Sequence, residues 1–337
     1  MVSIVVPIYN EEEIVVQFHA AVTGALDEVT EDWEIVYVND GSTDTSLELL
    51  KGLQSIDPHI VVVELSRNWG HMGAITSGLQ TARGQAVILM DGDFQDPPEV
   101  LPQFIQAWRG GAEIVVGVRK GRKEESKVLA ALFPLFYRIL GALADYPIPR
   151  NAGIFSLMDR KAVDAVLSMK ERNRYLPGMR AWVGYKNAVI YYDRQDRAGG
   201  DRKLSFISRI KYAVDAITGF SYKPLRLSFG LFAFSFCVAL LLELSTLLST
   251  KSYVTVVLGV AGAVFFVGGL LLFAMGILGE YVGRVYDEVR SRPLSLISHV
   301  YRPQVRLAEQ KAMTTVSNGN LTLQADSQGA QKTHRAA

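Results

Sequence analysis

Three carboxylates, Asp91, Asp93 and Asp96, fall within six residues of the stretch "VILMDGDFQDPPE" (87–99), directly after an apolar run. Like charges held this close either share protons or gather around a cation. Asp91 and Asp93 are two apart where the chain leaves a strand, so both can turn toward one point. Acid oxygens with room left for phosphate oxygens suit Mg²⁺ or Mn²⁺, and Gln95 can add a neutral oxygen. A lone DxD is commonly a solvated turn. Here it closes an apolar strand while "NDGSTD" (39–44) closes another, which favours a built site.

The elements that must position these acids are short and rich in β-branched residues: "VSIVVP", "WEIVYV", "IVVVEL", "QAVILM" and "AEIVVG". Segments of helical length, such as 42–55 and 72–83, lie between them. Strands apolar nearly throughout, separated by helices, predict an α/β fold with a doubly wound, mostly parallel sheet. Ligands in such folds bind beyond the carboxyl ends of the strands. The polar motifs lie there: "PIYNEEE", "NDGSTD", "SRNWGHMG", "DGDFQDPP" and "VRKGRKEES" follow strands one to five in turn. Five motifs on one edge describe a site. The first strand is not followed by GxGxxG, and no Walker A loop occurs, which argues against a dinucleotide dehydrogenase or a P-loop NTPase.

The 337 residues carry a net charge of +1, so no global field points to nucleic acid. A single cysteine, Cys237, allows no internal disulfide, and the opening "MVSIVVPIYNEEE" reads as a strand and not as a leader. Both suggest a catalytic half in a reducing cytoplasm. Two later runs are different. Leu225 to Leu248 is apolar except for Arg226 and Glu243, and Tyr253 to Leu278 carries no charge. Each exceeds the roughly 20 residues of a membrane-crossing helix. Arg202, Lys203, Arg209, Lys211 and Lys223 before the first run, Arg226 at its start, and Arg284, Arg290 and Arg292 after the second put both ends on the cytoplasmic side. Leu204, Ile207, Ile210, Val214 and Ile217 share one helical face, as in a helix lying in the membrane interface. Glu243 in a span predicts a helix partner or a second subunit. The polar residues 308–337 predict a disordered tail.

Taken in order, "VVPIYNEE", "VNDGSTD", "LSRNWG", "MDGDFQDPPE", "GVRKGRKEES" and "GEYVGRVYDEVRSRP" resemble glycosyltransferase family 2, and within it the polyprenyl-phosphate glycosyltransferases. The resemblance implies a GT-A (Rossmann-like) catalytic domain over 1–203, an interfacial amphipathic helix over 204–224, and two transmembrane helices over 225–280. A cytoplasmic segment (281–307) and the tail complete the chain. It implies transfer of a single sugar, glucose foremost, from UDP-glucose to polyprenyl phosphate with inversion, at the inner membrane, by a homotetramer using Mg²⁺ or Mn²⁺. Pro7, Tyr9, Asn10 and Glu11 match the nucleotide-binding motif, with Asp40 on base or ribose. Asp91, Asp93 and Gln95 match the metal-binding DxDxQ, with the ion bridging to the donor diphosphate. Arg119, Arg197 and Lys203 match basic residues that hold donor or acceptor phosphates.

The chain departs from the family pattern twice. "NAGIF" has Ile154 where relatives often carry an acid, and "GDRKL" has Arg202 and Leu204 in place of Ser and Tyr. The first departure suits a phosphate nucleophile, which needs no base. GDP-mannose and UDP-N-acetylglucosamine are alternative donors. Two other functions compete: a processive polysaccharide synthase, for which the chain lacks QxxRW ("MRAWVG" surrounds Trp182), and a non-catalytic nucleotide-sugar sensor.

Overall fold

The β-branched runs form strands because both of their faces find cover. Val2, Ile4, Val6 and Ile8 of β1 (Val2–Ile8) pack into one apolar layer and Val5 into the opposite one, as the two-residue period of a strand requires. β2 (Trp33–Asn39) is buried along its whole length, and β3 (Ile60–Leu65) nearly so. β4 (Ala86–Leu89) and β5 (Ile114–Arg119) continue the pattern. The computed structural model describes residues 1–27, 29, 32–120, 152–172, 174–194, 223–247 and 253–303. Arg197, Lys203, Arg202, the 204–222 stretch and the 308–337 tail lie outside these residues, as does the side chain of Glu243.

Helices α1 (Val15–Asp27), α2 (Ser46–Ile56), α3 (His71–Thr81) and α4 (Leu101–Arg109) alternate with the first five strands. Phe18 and Val22 of α1 and Phe104 of α4 fill one side of the sheet, and Ala74 and Ile75 of α3 the other. After β6 (Ala152–Asp159) come α5 (Arg160–Ser168), α6 (Leu176–Val183) and β7 (Asn187–Tyr192). The Asp159 side chain caps α5 by accepting from the Lys161 N–H.

The sheet has eight strands in the order β7-β5-β6-β4-β1-β2-β3-β8, where β8 is Ile297–Tyr301. β1, β2, β3 and β4 pair in parallel, as do β5 and β7. The sheet is therefore mostly parallel, with two departures that the strand-by-strand reading does not foresee. β6 runs antiparallel between β4 and β5, and β8 runs antiparallel along β3. Because β4 and β5 flank the same antiparallel strand, they point the same way, so the carboxyl ends of β1 to β5 share one edge. β8 comes from the 281–307 segment and belongs to the same sheet as β1 to β5.

Two long helices precede β8: α7 (Lys223–Leu247) and α8 (Tyr253–Arg290). They contact each other, with Phe234 edge-on to Phe266 at 6.2 Å. Among the described residues one helix, over Gly259–Arg290, is long and apolar enough to cross a membrane, and none of its most apolar stretch is buried. Leu271, Leu272, Phe273 and Met275 are all more than half exposed. An apolar surface of that extent requires cover by something other than water.

Candidate active site

The loops after β1 and β2 are sewn together. The Asp40 N–H donates to the Ile8 carbonyl at 2.9 Å. Asn10, left-handed at φ 55°, accepts from the Thr43 N–H at 2.8 Å through its side chain, and its own N–H donates to the Ser42 hydroxyl. The Glu11 N–H donates to Ser46 Oγ, while Glu12 Oε2 accepts from both the N–H and the hydroxyl of Thr45. Asn and Asp tolerate the left-handed region because their short polar side chains bond locally. Asn10 thus locks the loop, leaving Pro7, Tyr9 and Glu11 along the wall of a cleft of about 340 Å³.

Asp40 enters the same cleft and is only 4% exposed. Its Oδ1 accepts from the Trp69 N–H at 2.7 Å, tying the β2 loop to the β3 loop. Burial pushes its carboxyl above the ordinary range, and the N–H groups of Trp69 and Gly70 pull it back. Such close approach depends on Gly41, which is left-handed at φ 66°; a Cβ there would lie 2.5 Å from backbone atoms of both Arg67 and Asn68. Alanine in that conformation costs ~1–2 kcal/mol before any clash. Gly41→Ala is therefore expected to lower the apparent Tm by several degrees, since the contact it breaks ties the β2 loop to the β3 loop. Thermal unfolding checks it, and an unchanged Tm would refute the role given to this contact.

The "DGDFQD" turn follows β4. A Cβ on Gly92 would meet Ile8 Cδ1 at 2.6 Å, so the turn lies hard against the end of β1. Phe94 is left-handed at φ 61° and packs edge-on to Phe18 at 5.3 Å. The Gln95 N–H donates to Asp93 Oδ1 at 3.1 Å, closing the turn. Asp91 and Asp93 both line the cleft, with 30% of the Asp91 side chain exposed and Asp93 only 9% exposed. Burial, reinforced by Asp96 and Asp93, pushes the Asp91 carboxyl up to about 8. His71, at the start of α3, puts Nε2 3.5 Å from Asp91 Oδ1.

Asp96 is 1% exposed and does not line the cleft. Its Oδ1 accepts from the Tyr192 hydroxyl at 2.5 Å and lies 3.8 Å from Arg119 Nη2. Arg119 in turn donates from Nε to the Tyr192 oxygen at 3.1 Å. Gln95 Oε1 accepts from Arg194 Nη2. Beneath "NAGIF", the buried Arg180 donates to the carbonyls of Gly153 and Ile154.

The structure thus brings together Pro7, Tyr9, Glu11, Asp40, Asp91 and Asp93 around one cleft. Asn10 serves as the clamp of that cleft, Arg119 stands beside Asp96, and the Gln95 oxygen is engaged by a protein cation. No group of three or more His, Cys, Asp or Glu suited to a metal occurs among the described residues. The donor set still fits a hard divalent ion completed by non-protein oxygens: two cleft carboxylates, one of them driven toward protonation first by burial and then by its acidic neighbours, and close by a buried Asp96 Oδ2 with no hydrogen-bond partner among the described residues. His71, Asn68, Tyr192 and Arg194 enter the site without having been singled out in the sequence. Of these, His71 and Asn68 lie in "SRNWGHMG", on the ligand edge where a search would begin.

The first 167 residues define a known class. The family model "Glycosyl transferase family 2" matches residues 3–167. "Uncharacterized glycosyltransferase YkcC" of Bacillus subtilis is 38% identical over 310 residues, covering 89% of this chain and 94% of that one. "Prophage bactoprenol glucosyl transferase homolog" of Escherichia coli is 34% identical over 304 residues, covering 89% and 99%. "Bactoprenol glucosyl transferase" of Shigella phage SfII is 34% identical over 308 residues, covering 89% and 98%. The chain belongs to glycosyl transferase family 2, and its mostly parallel α/β sheet is a GT-A-like glycosyltransferase domain.

Proposed function

We propose that this glycosyltransferase moves one glucosyl unit from UDP-glucose to polyprenyl phosphate, with inversion, on the cytoplasmic face of the inner membrane. The observation that carries the reading is a single sheet that joins the acid-lined cleft to a strand following a membrane-length apolar helix. The names of the phage and Escherichia coli relatives support glucose and a bactoprenol-type lipid.

Topology supports two membrane crossings. β8 bonds to β3, so the residues before α7 and after α8 lie on the same side of any membrane. The chain between them must cross an even number of times. If α8 crosses, a second crossing is required, and the 25-residue α7 packed against it is the available helix.

Asp91 and Asp93 are the residues that would hold Mg²⁺ or Mn²⁺, with Gln95 contributing only if it exchanges Arg194 for the ion. A divalent cation supplies Lewis-acid neutralisation of charge on a departing nucleotide diphosphate. The chain's own cations do the remaining work: Arg119, with Arg197 and Lys203, binds phosphate by charge-assisted hydrogen bonds. Ile154 offers no base. A lipid phosphomonoester, with a second ionisation near about 6, is largely dianionic at neutral pH and attacks without one.

The test is an assay of the purified full chain with radiolabelled UDP-glucose, Mg²⁺ and polyprenyl phosphate. Organic-soluble labelled product is expected, lost on adding chelator and regained with excess Mn²⁺. Polymeric product, or UDP-glucose binding without turnover, would overturn the reading, and competition by GDP-mannose and UDP-N-acetylglucosamine identifies the donor.

A further inference from the structure

We infer that Tyr192 and Asp96 are positioning residues that hold Arg119 ready for a phosphate group. The inference rests on the phosphate-binding role given to Arg119 in the proposed function.

With Asp96 ionised, the order of hydrogen bonds among the three side chains has one solution. A guanidinium only donates, and an ionised carboxylate only accepts. The Tyr192 oxygen must therefore accept from Arg119 Nε at 3.1 Å and spend its single proton on Asp96 Oδ1 at 2.5 Å. Each member fixes the next. Tyr192 is 3% exposed, and its ring stands edge-on to Phe155 at 5.3 Å, which itself rests against Phe104 at 4.6 Å. The backbone leaves space for the arrangement: a Cβ on Gly117 would come 3.1 Å from Tyr192 Cε1, and one on Gly153 would come 3.4 Å from Arg119 Nη2.

The result is an arginine anchored at its inner nitrogen. Its Nη2 stays 3.8 Å from Asp96, an ion-pair distance too long for a hydrogen bond. Among the described residues neither terminal nitrogen of Arg119 has a hydrogen-bond partner, so the fork that suits a phosphate is kept open. The tyrosine hydroxyl is what maintains that opening. Without it, Asp96 would be a buried carboxylate lacking its donor, and the nearest cation able to satisfy it is Arg119 itself. Closing 3.8 Å to contact would draw the guanidinium inward and spend the fork on the protein.

The phosphate belongs either to the nucleotide or to the lipid, and binding separates the two. Dissociation constants for UDP and for geranyl phosphate are measured calorimetrically on the detergent-solubilised full chain. Tyr192→Phe keeps the ring and its packing, so the fold is retained. It is expected to weaken one of the two ligands by about tenfold and leave the other within about twofold. On an Arg119→Ala background the same substitution should change neither constant, because the pair acts only through the arginine. Unaltered affinity for both ligands in Tyr192→Phe, or an equal loss with and without Arg119, would overturn the inference and leave Tyr192 a packing residue. A chain that binds both ligands but transfers no sugar would instead remove the proposed function while this reading stands.

Discussion

Replacing Asp93 by alanine is expected to reduce sugar transfer by roughly 10³-fold or more, a loss of about 4 kcal/mol of transition-state stabilisation. Two roles meet in this residue: it lines the cleft, and its Oδ1 closes the turn by accepting from the Gln95 N–H. Asp93→Asn separates them, because an amide oxygen still accepts that bond while the charge is gone. Both variants should lose transfer. Their stabilities should differ, and the sign follows from Asp91. Its carboxyl is pushed up to about 8, first by burial and then by Asp96 and Asp93. A carboxyl raised in the folded state binds protons more tightly there than in the unfolded chain. Its ionisation therefore costs stability, increasingly so as pH rises from its ordinary range toward about 8. Removing the neighbouring charge relieves that cost, so Asp93→Asn should have an apparent Tm at pH 8 equal to or above that of the unmodified chain without metal. Mn²⁺ should raise the Tm of the unmodified chain by mass action and leave the variant unmoved. An Asn variant that keeps most of its turnover, or its response to Mn²⁺, would remove the metal assignment.

The acids and the strands before them are legible because local pattern reports them. A run such as "QAVILM" must be buried, and a polar cluster directly after it must lie at the strand's end. That reasoning places Pro7, Asp40, Asp91 and Asp93 on one edge, where they line one cleft. Strand order is different. The alternation in "AGIFSLMD" puts Phe155 and Leu157 in one layer and Met158 in the other, yet nothing in it says that β6 enters between β4 and β5 against their direction. β8 is harder still. "ISHVY" is five residues, mostly exposed, and lies 232 positions beyond the end of the strand it pairs with, from Leu65 to Ile297. Short, exposed edge strands close a sheet without a buried face, so they carry little of the hydrophobic alternation that marks the inner strands.

The same limit explains the side chains that sequence reasoning passed over or assigned from a motif alone. Gln95 reads as a metal ligand by its place in DxDxQ, but its oxygen meets Arg194, 99 residues away. Tyr192 closes an edge strand whose face reads as partly exposed, and its hydroxyl matters only because Asp96 is folded against it across 96 residues. Asn10 matches a nucleotide-binding motif, and its left-handed backbone and bond to Thr43 give it a reason to be asparagine without any ligand. A motif records which residues occur together. It does not separate those that touch the ligand from those that build the wall.

Lengthening the helix between membrane and cleft by four residues is expected to cut transfer to a long-chain lipid sharply and spare transfer to a short one. On the membrane reading, the charge-free part of α8 ends at Leu278, and Gly279 to Arg290 forms a stalk of about 18 Å at 1.5 Å per residue. Glu280 and Arg284 pair across one turn of it at 2.8 Å. Its far end is fastened to the catalytic domain. Glu288 Oε1 accepts from the Arg172 N–H at 2.7 Å, and Ser295 bonds Ser77 at 2.6 Å and the Gly73 carbonyl at 3.2 Å. The Leu296 carbonyl accepts from the Ser66 N–H, and Tyr301 donates to Glu64. Gly73 and Ser77 belong to α3, the helix that starts at His71 in the cleft, so the stalk sets the cleft's height through a chain of direct contacts. Four residues inserted after Gly283 raise the domain by about 6 Å and turn it by about 40°. A lipid that must reach that much further draws about five carbons from the bilayer, at ~0.8 kcal/mol each, or about 4 kcal/mol. Transfer to long-chain polyprenyl phosphate in vesicles should fall on the order of 10²- to 10³-fold, while geranyl phosphate, free in solution, should react within about twofold of the unmodified rate. Seven inserted residues bring the rotation back to within about 20° while adding about 10.5 Å of height, so a further loss identifies height as the cause and a recovery identifies orientation. Equal losses with both lipids would mean the insertion had damaged the site, and full activity on the long lipid would mean that α8 does not set the distance.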